Sequence, residues 1–143
     1  MLLGNTMGDH QKMAGEWELV SQTNFAQLLE KFGIGFVKRK IAVAAQTKVC
    51  QTISFEGNNM TVFVDSPAKS KKNIPLDGSD FSEEMFEKTV VASATANEDG
   101  SITVKGKVCD QEMITVRKID GAGNMILITT FKGVECIRVF SRK

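Results

Sequence analysis

From Thr47 to the last residue the chain is a succession of short strand-forming runs cut by turn residues, and this pattern limits the folds open to it. KVCQTISF is followed by EGNN and MTVFV, then SPAKSKKNIPL, the turn DGSD, and FSEEMFEKTVVASATA. NEDG leads into SITVKGKV, CDQ into EMITVRKI, DGAGN into MILITTF, and KG into VECIRVF. Consecutive runs of this length, joined by Gly, Asn and Asp turns at near-constant spacing, predict an all-β meander. Such a meander most simply closes into an up-and-down barrel, because closure leaves no exposed strand edges. GEWELVSQ, with Trp17 and Leu19 alternating with polar neighbours, predicts an earlier strand. Between the two lies a stretch with a different period. NFAQLLEKFGIGFVKRKIAVAA places Phe25, Leu28, Leu29 and Phe32 at helical spacing, breaks at Gly33 and Gly35, and resumes with Phe36, Val37 and Ile41. Asn24 is the expected cap of the first helix, and the glycines permit a tight turn into the second. No linker, low-complexity stretch or second domain interrupts the pattern.

Several function classes are disfavoured by what the 143 residues contain. A net charge of +1 makes no case for a nucleic-acid partner. No apolar run nears the roughly 20 residues needed to span a bilayer. MLLGNTMGDHQKM lacks the basic start and apolar stretch of a signal peptide, so residues 1–13 are expected to be a flexible extension and 14–143 one domain. Cys50, Cys109 and Cys136 are odd in number and far apart, which suggests neither disulfides nor a zinc site but reduced thiols in a cytoplasmic protein. His10 is the only histidine and sits in the extension, so serine or cysteine nucleophiles lack their usual base. No Gly-x-Ser-x-Gly, phosphate loop or calcium loop is present. The expectation is a protein that is not an enzyme and needs no cofactor or metal.

One strand, two short helices and then a long meander is an uncommon order, and the residues carrying it resemble a known family. Gly15, Trp17, Leu19, Val20, Ser21, Asn24 and Phe25 match a G-x-W-x-L-V-S-x-x-N-F start. GIGFVKRKIAVAA, PLDGSDFSEE and GVECIRVF look like its second helix, a mid-chain turn and its final strand. The family is the intracellular lipid-binding proteins, comprising fatty-acid-binding and cellular retinoid-binding members. The resemblance covers Ala14 to Lys143 and implies a ten-stranded, flattened up-and-down β-barrel (a β-clam) capped by a helix-turn-helix, with a lipid cavity inside. It implies a monomer holding a long-chain fatty acid or similar hydrophobic carboxylate, its head met by Arg138 on the tenth strand and Arg117 on the eighth. Phe25, Leu29, Phe36, Met113, Thr115, Leu127, Thr129, Cys136 and Phe140 are then expected at the pocket or its portal. Two positions depart from the family pattern: Ala26 stands where an acid is usual, and Phe140 where a tyrosine is usual.

Alternation alone leaves the arginines' orientation open. Cys136, Arg138 and Phe140 share one face of their strand and Ile137 and Val139 the other; Met113, Thr115 and Arg117 likewise oppose Ile114 and Val116. The family register turns both arginines inward. A guanidinium there is costly unless hydrated or paired, and an incoming carboxylate supplies the partner for its two-pronged donor fork. One such pair at an effective dielectric near 20 is worth roughly 4 kcal/mol before desolvation. Each buried methylene adds roughly 0.8 kcal/mol, so the tail dominates affinity while the head selects an acid over an alcohol. A retinoic-acid carrier would use the same arginines, and a membrane-associated structural role is a further alternative. Lys38, Arg39 and Lys40, reinforced by Lys69, Lys71 and Lys72, are expected to form a patch for transient contact with anionic membranes. Pro67–Ala68 offers no phenylalanine gate. Met60, Met85, Met113 and Met125 could give an adaptable lining.

Overall fold

The structure, a computed structural model, describes residues 9–45, 49–66 and 69–143. Strand β1 (Gly15–Thr23) leads into helices α1 (Phe25–Lys31) and α2 (Phe36–Ala45). Nine strands follow: β2 (Cys50–Glu56), β3 (Asn59–Asp65), β4 (Ser70–Pro75), β5 (Phe81–Met85), β6 (Lys88–Ala96), β7 (Ile102–Val108), β8 (Gln111–Ile119), β9 (Met125–Phe131) and β10 (Val134–Arg142). All ten form one antiparallel sheet in the order 4-3-2-1-10-9-8-7-6-5. The first and last strands pair, with a register shift between Leu19 and Ser21, and this wraps the meander into a nearly closed barrel. A seam is left where β4 and β5, the two ends of that order, have no ladder between them.

Tight turns set the register. Cys109–Asp110 and Lys132–Gly133 are two-residue hairpin loops with both φ angles positive, the geometry that matches the natural strand twist. Phe86–Glu87 is a third, with φ of 49° and 69°. It divides the run 81–96, which reads as one segment in sequence, into β5 and β6. The stretch has no Gly, Asn or Asp to mark the reversal. Phe86 instead makes edge contacts with Phe25 and Phe32 at 5.8 and 5.1 Å, and this aromatic packing offsets the unfavourable backbone angles.

The helix pair covers one end of the barrel. Asn24 lies in the left-handed region, and its side chain does not cap α1 as the sequence suggested. Its amide donates instead to the Glu135 carbonyl on β10 at 3.0 Å, tying the helix entry to the last strand. Gly33, with φ of 86°, makes the turn toward α2. At the opposite end, residues 10–13 of the expected extension form a 3-10 turn whose Met13 is buried. The Trp17 indole donates to the Met13 carbonyl at 2.8 Å. The Arg142 guanidinium lies 4.2 Å from the Trp17 ring and donates to the Ala14 and Lys12 carbonyls. Between these ends the barrel is part core and part cavity. Trp17, Phe32, Met113, Met125, Phe131 and Phe140 are fully buried, while a cavity of about 250 Å³ remains.

Candidate functional site

Both arginines face the interior. Arg117 and Arg138 each pair with Leu127, one from β8 and one from β10, so the three residues form a row across adjacent strands. Two strand spacings put the arginine backbones roughly 10 Å apart, a separation that guanidinium side chains can close around one small anion. The register places Met113, Thr115 and Arg117 on the inner face of β8, and Cys136, Arg138 and Phe140 on that of β10.

The two sites differ in environment. Arg117 is buried, and its Nη1 donates to Gln51 Oε1 at 2.8 Å across the barrel. The same nitrogen lies 3.7 Å from Met125 Sδ. Burial pushes the Arg117 guanidinium down to about 10, helped by the like charge of Arg138 and opposed by Glu83. Arg138 is partly buried, its guanidinium 5.3 Å from the Phe25 ring and 5.5 Å from the Phe140 ring. Phe140 therefore gives an aromatic face to the cation although it has no phenol to offer a ligand. Desolvation lowers the Arg138 pKa as well, and by the same cause the Cys136 thiol is raised. Thr115 and Thr129 hydroxyls, 3.3 Å apart, add a polar step on the wall next to the arginine row.

Of the residues expected at the pocket, Phe25, Thr115, Leu127 and Thr129 line the cavity together with Arg117 and Arg138. Leu29, Met113, Cys136 and Phe140 are buried but do not line it, forming packed core instead. Phe36 is 62% exposed on α2 and makes no part of the wall. Met85 lines the cavity, whereas Met60, Met113 and Met125 belong to the core. Sequence reasoning missed Gln51, whose signal was a polar residue on the same strand face as Ile53. It also misplaced Lys72, grouped with the surface lysines but in fact lining the cavity beside Glu83 at 3.8 Å. Pro67–Ala68 lies outside the described residues. Among the described residues no cluster of side chains suits a metal ion, and no helix is long and apolar enough to cross a membrane.

The basic run on α2 is less free than its sequence suggests. Lys38 pairs with Glu87 at 3.1 Å, and Arg39 lies 3.7 Å from Glu30 while donating to the Ile34 carbonyl. Lys40 lies over the Phe36 ring at 5.1 Å. The helix buries none of its residues, and Phe36, Val37 and Ile41 are each more than 60% exposed.

No protein-family model matches the chain. Bovine intestinal fatty acid-binding protein is 34% identical over 131 residues, spanning 90% of this chain and 97% of that protein. The chain belongs to the fatty-acid-binding protein family. Other similar proteins include rat intestinal fatty acid-binding protein at 31% identity and human cellular retinoic acid-binding protein 2 at 26%, the latter covering 91% of this chain and 97% of its own. A solved structure titled as a REP1-NXSQ fatty acid transporter superposes with a TM-score of 0.82 over 92% of this chain and 96% of its own, at 23% identity. That likeness shows a shared fold, here ten antiparallel strands in a nearly closed barrel with two helices.

Proposed function

We propose that the protein is a cytoplasmic, monomeric, non-enzymatic carrier. It holds one long-chain fatty acid in the barrel, its carboxylate directed at Arg117 and Arg138 and its tail along the apolar wall. The Arg117–Leu127–Arg138 row carries this reading. Two desolvated guanidiniums at one level of a cavity make a poor core and a good anion site. The names of similar proteins, which specify fatty acids in several cases and retinoic acid in others, support an acidic lipid and leave both tails in play. Phe140 in place of a phenol leaves the head with one hydrogen-bond donor fewer, so its geometry is looser than a tyrosine would allow. Titration with hexadecanoic acid and with hexadecanol tests the assignment. The acid is expected to bind at least about tenfold tighter, the equivalent of one retained charged pair. Equal affinities would remove the arginines from the binding site.

Delivery at membranes forms part of the same proposal. An unburied α2 with Phe36, Val37 and Ile41 outward and Lys38, Arg39 and Lys40 among them suits the boundary of an anionic bilayer. Transfer of a fluorescent fatty acid to vesicles is expected to be faster when they contain anionic lipid and to slow with added salt. Lys38→Glu/Lys40→Glu should reduce that lipid dependence several-fold. A rate indifferent to both lipid charge and salt would eliminate contact-mediated delivery.

A further inference from the structure

A third cation shares the cavity with the two arginines. Lys72 on β4 and Glu83 on β5 both point inward: Lys72 alternates with buried Ile74, and Glu83 pairs across its ladder with fully buried Val90. Their strands are the two ends of the sheet order, so the ion pair bridges the seam where the backbone has no ladder. At 3.8 Å, Nζ to Oε1, it is too long for a hydrogen bond, although the side chains are only 27% and 10% exposed. Burial lowers the Lys72 pKa, Glu83 opposes that, and both arginines reinforce it. The four charges thus share one electrostatic environment.

Among the described residues, the inward-facing wall holds Lys72, Arg117 and Arg138 against Glu83, three cations against one carboxylate, an excess of two positive charges. Glu84 also reaches the cavity's edge, but it is exposed and accepts a hydrogen bond from Thr89 at 2.6 Å. Residues 1–8, 46–48 and 67–68 contain no Asp or Glu, so they add no carboxylate to the wall. A monocarboxylate head offsets half of the excess; a head with two negative charges offsets all of it, and uncompensated charge in a desolvated space is costly.

We propose that Lys72 is a third head-group cation, and that the cavity prefers amphiphiles with a dianionic head, such as a phosphate monoester, over monocarboxylates of equal chain length. This rests on the carrier reading above. Glu83 holds Lys72 at the seam while the cavity is empty and competes with the ligand's own anion for it.

Calorimetric titration of the full chain with dodecyl phosphate and with dodecanoate tests the proposal, at pH 8 where a phosphate monoester carries close to two charges. Dodecyl phosphate is expected to bind about tenfold or more tightly than dodecanoate. In Lys72→Met that ratio should fall toward one, with a cooperative unfolding transition showing that the variant folds. In Glu83→Gln, dodecanoate should bind several-fold tighter because the competing carboxylate has gone. Equal affinities in the unaltered protein overturn the proposal, as does an unchanged ratio in Lys72→Met. If neither amphiphile binds, the carrier reading itself fails.

Discussion

Replacing Arg117 with methionine is expected to make the ligand-free protein more stable and its hold on a long-chain carboxylate weaker. The native guanidinium is buried with its pKa lowered to about 10, well below the ordinary arginine value, which puts the cost of keeping it charged at neutral pH on the order of 3 kcal/mol. Methionine removes that cost but leaves the Gln51 carbonyl without its 2.8 Å donor, a loss of about 1–3 kcal/mol. The single variant should therefore gain about 1 kcal/mol, and Arg117→Met/Gln51→Leu about 2–3 kcal/mol, read by denaturant unfolding. Fatty-acid affinity should drop about ten- to a hundredfold in both. The alkaline limb gives an independent check. Below pH 10 both folded and unfolded chains keep the proton and the cost stands in full. Above it the folded chain releases the proton first, so this group's contribution to stability rises as the pH climbs from 10 toward the unfolded chain's arginine value, and that rise vanishes in the variants. A variant less stable than the parent, with affinity intact, would make Arg117 a structural residue.

Trp17→Ala should be the most damaging single substitution at the other end of the barrel. The ring is fully buried, and its truncation costs about 3–5 kcal/mol by transfer and cavity terms alone. The change also removes the donor to the Met13 carbonyl and the ring beneath the Arg142 guanidinium, so the 3-10 turn loses two of its attachments together. For a chain of this size the melting temperature should fall by about 10 °C or more. Trp17→Phe, which keeps a ring but no N–H, should lose less than half as much. A fall of under 1 kcal/mol for the alanine variant would show that the turn and Arg142 contribute little to closing this end.

The fold could be read from the sequence because its signals are local and repeated. Period-2 alternation and turn residues announce most strands, and the change of period at Asn24 announces the helices. The Phe86–Glu87 hairpin was illegible because its stabilisation comes from Phe25 and Phe32, more than fifty residues away in sequence, and not from its own backbone preferences. The site was half legible. Alternation placed Arg138 with Cys136 and Phe140 but could not choose between barrel interior and water; only the identity of the whole pattern decided between them. Lys72 shows the converse failure. In SPAKSKK it looks like one more solvated lysine, yet the strand begins at Ser70 and parity sends Lys72 inward while Lys71 stays out. Gln51 had a local signal, but its partner Arg117 lies on a strand six places along the chain.

The pairing of β1 with β10 has a consequence for how the protein is made. Trp17, Glu18 and Leu19 find their neighbours at Arg142, Ser141 and Phe140, more than 120 residues later. During synthesis one edge of the first strand stays unsatisfied until Val134–Arg142 has left the ribosome. Until then the nascent sheet offers an open template to other chains. Closure comes as one late, long-range step, which favours slow, all-or-none maturation over gradual growth. Truncating even the last nine residues should leave a chain that depends on chaperones rather than a smaller carrier.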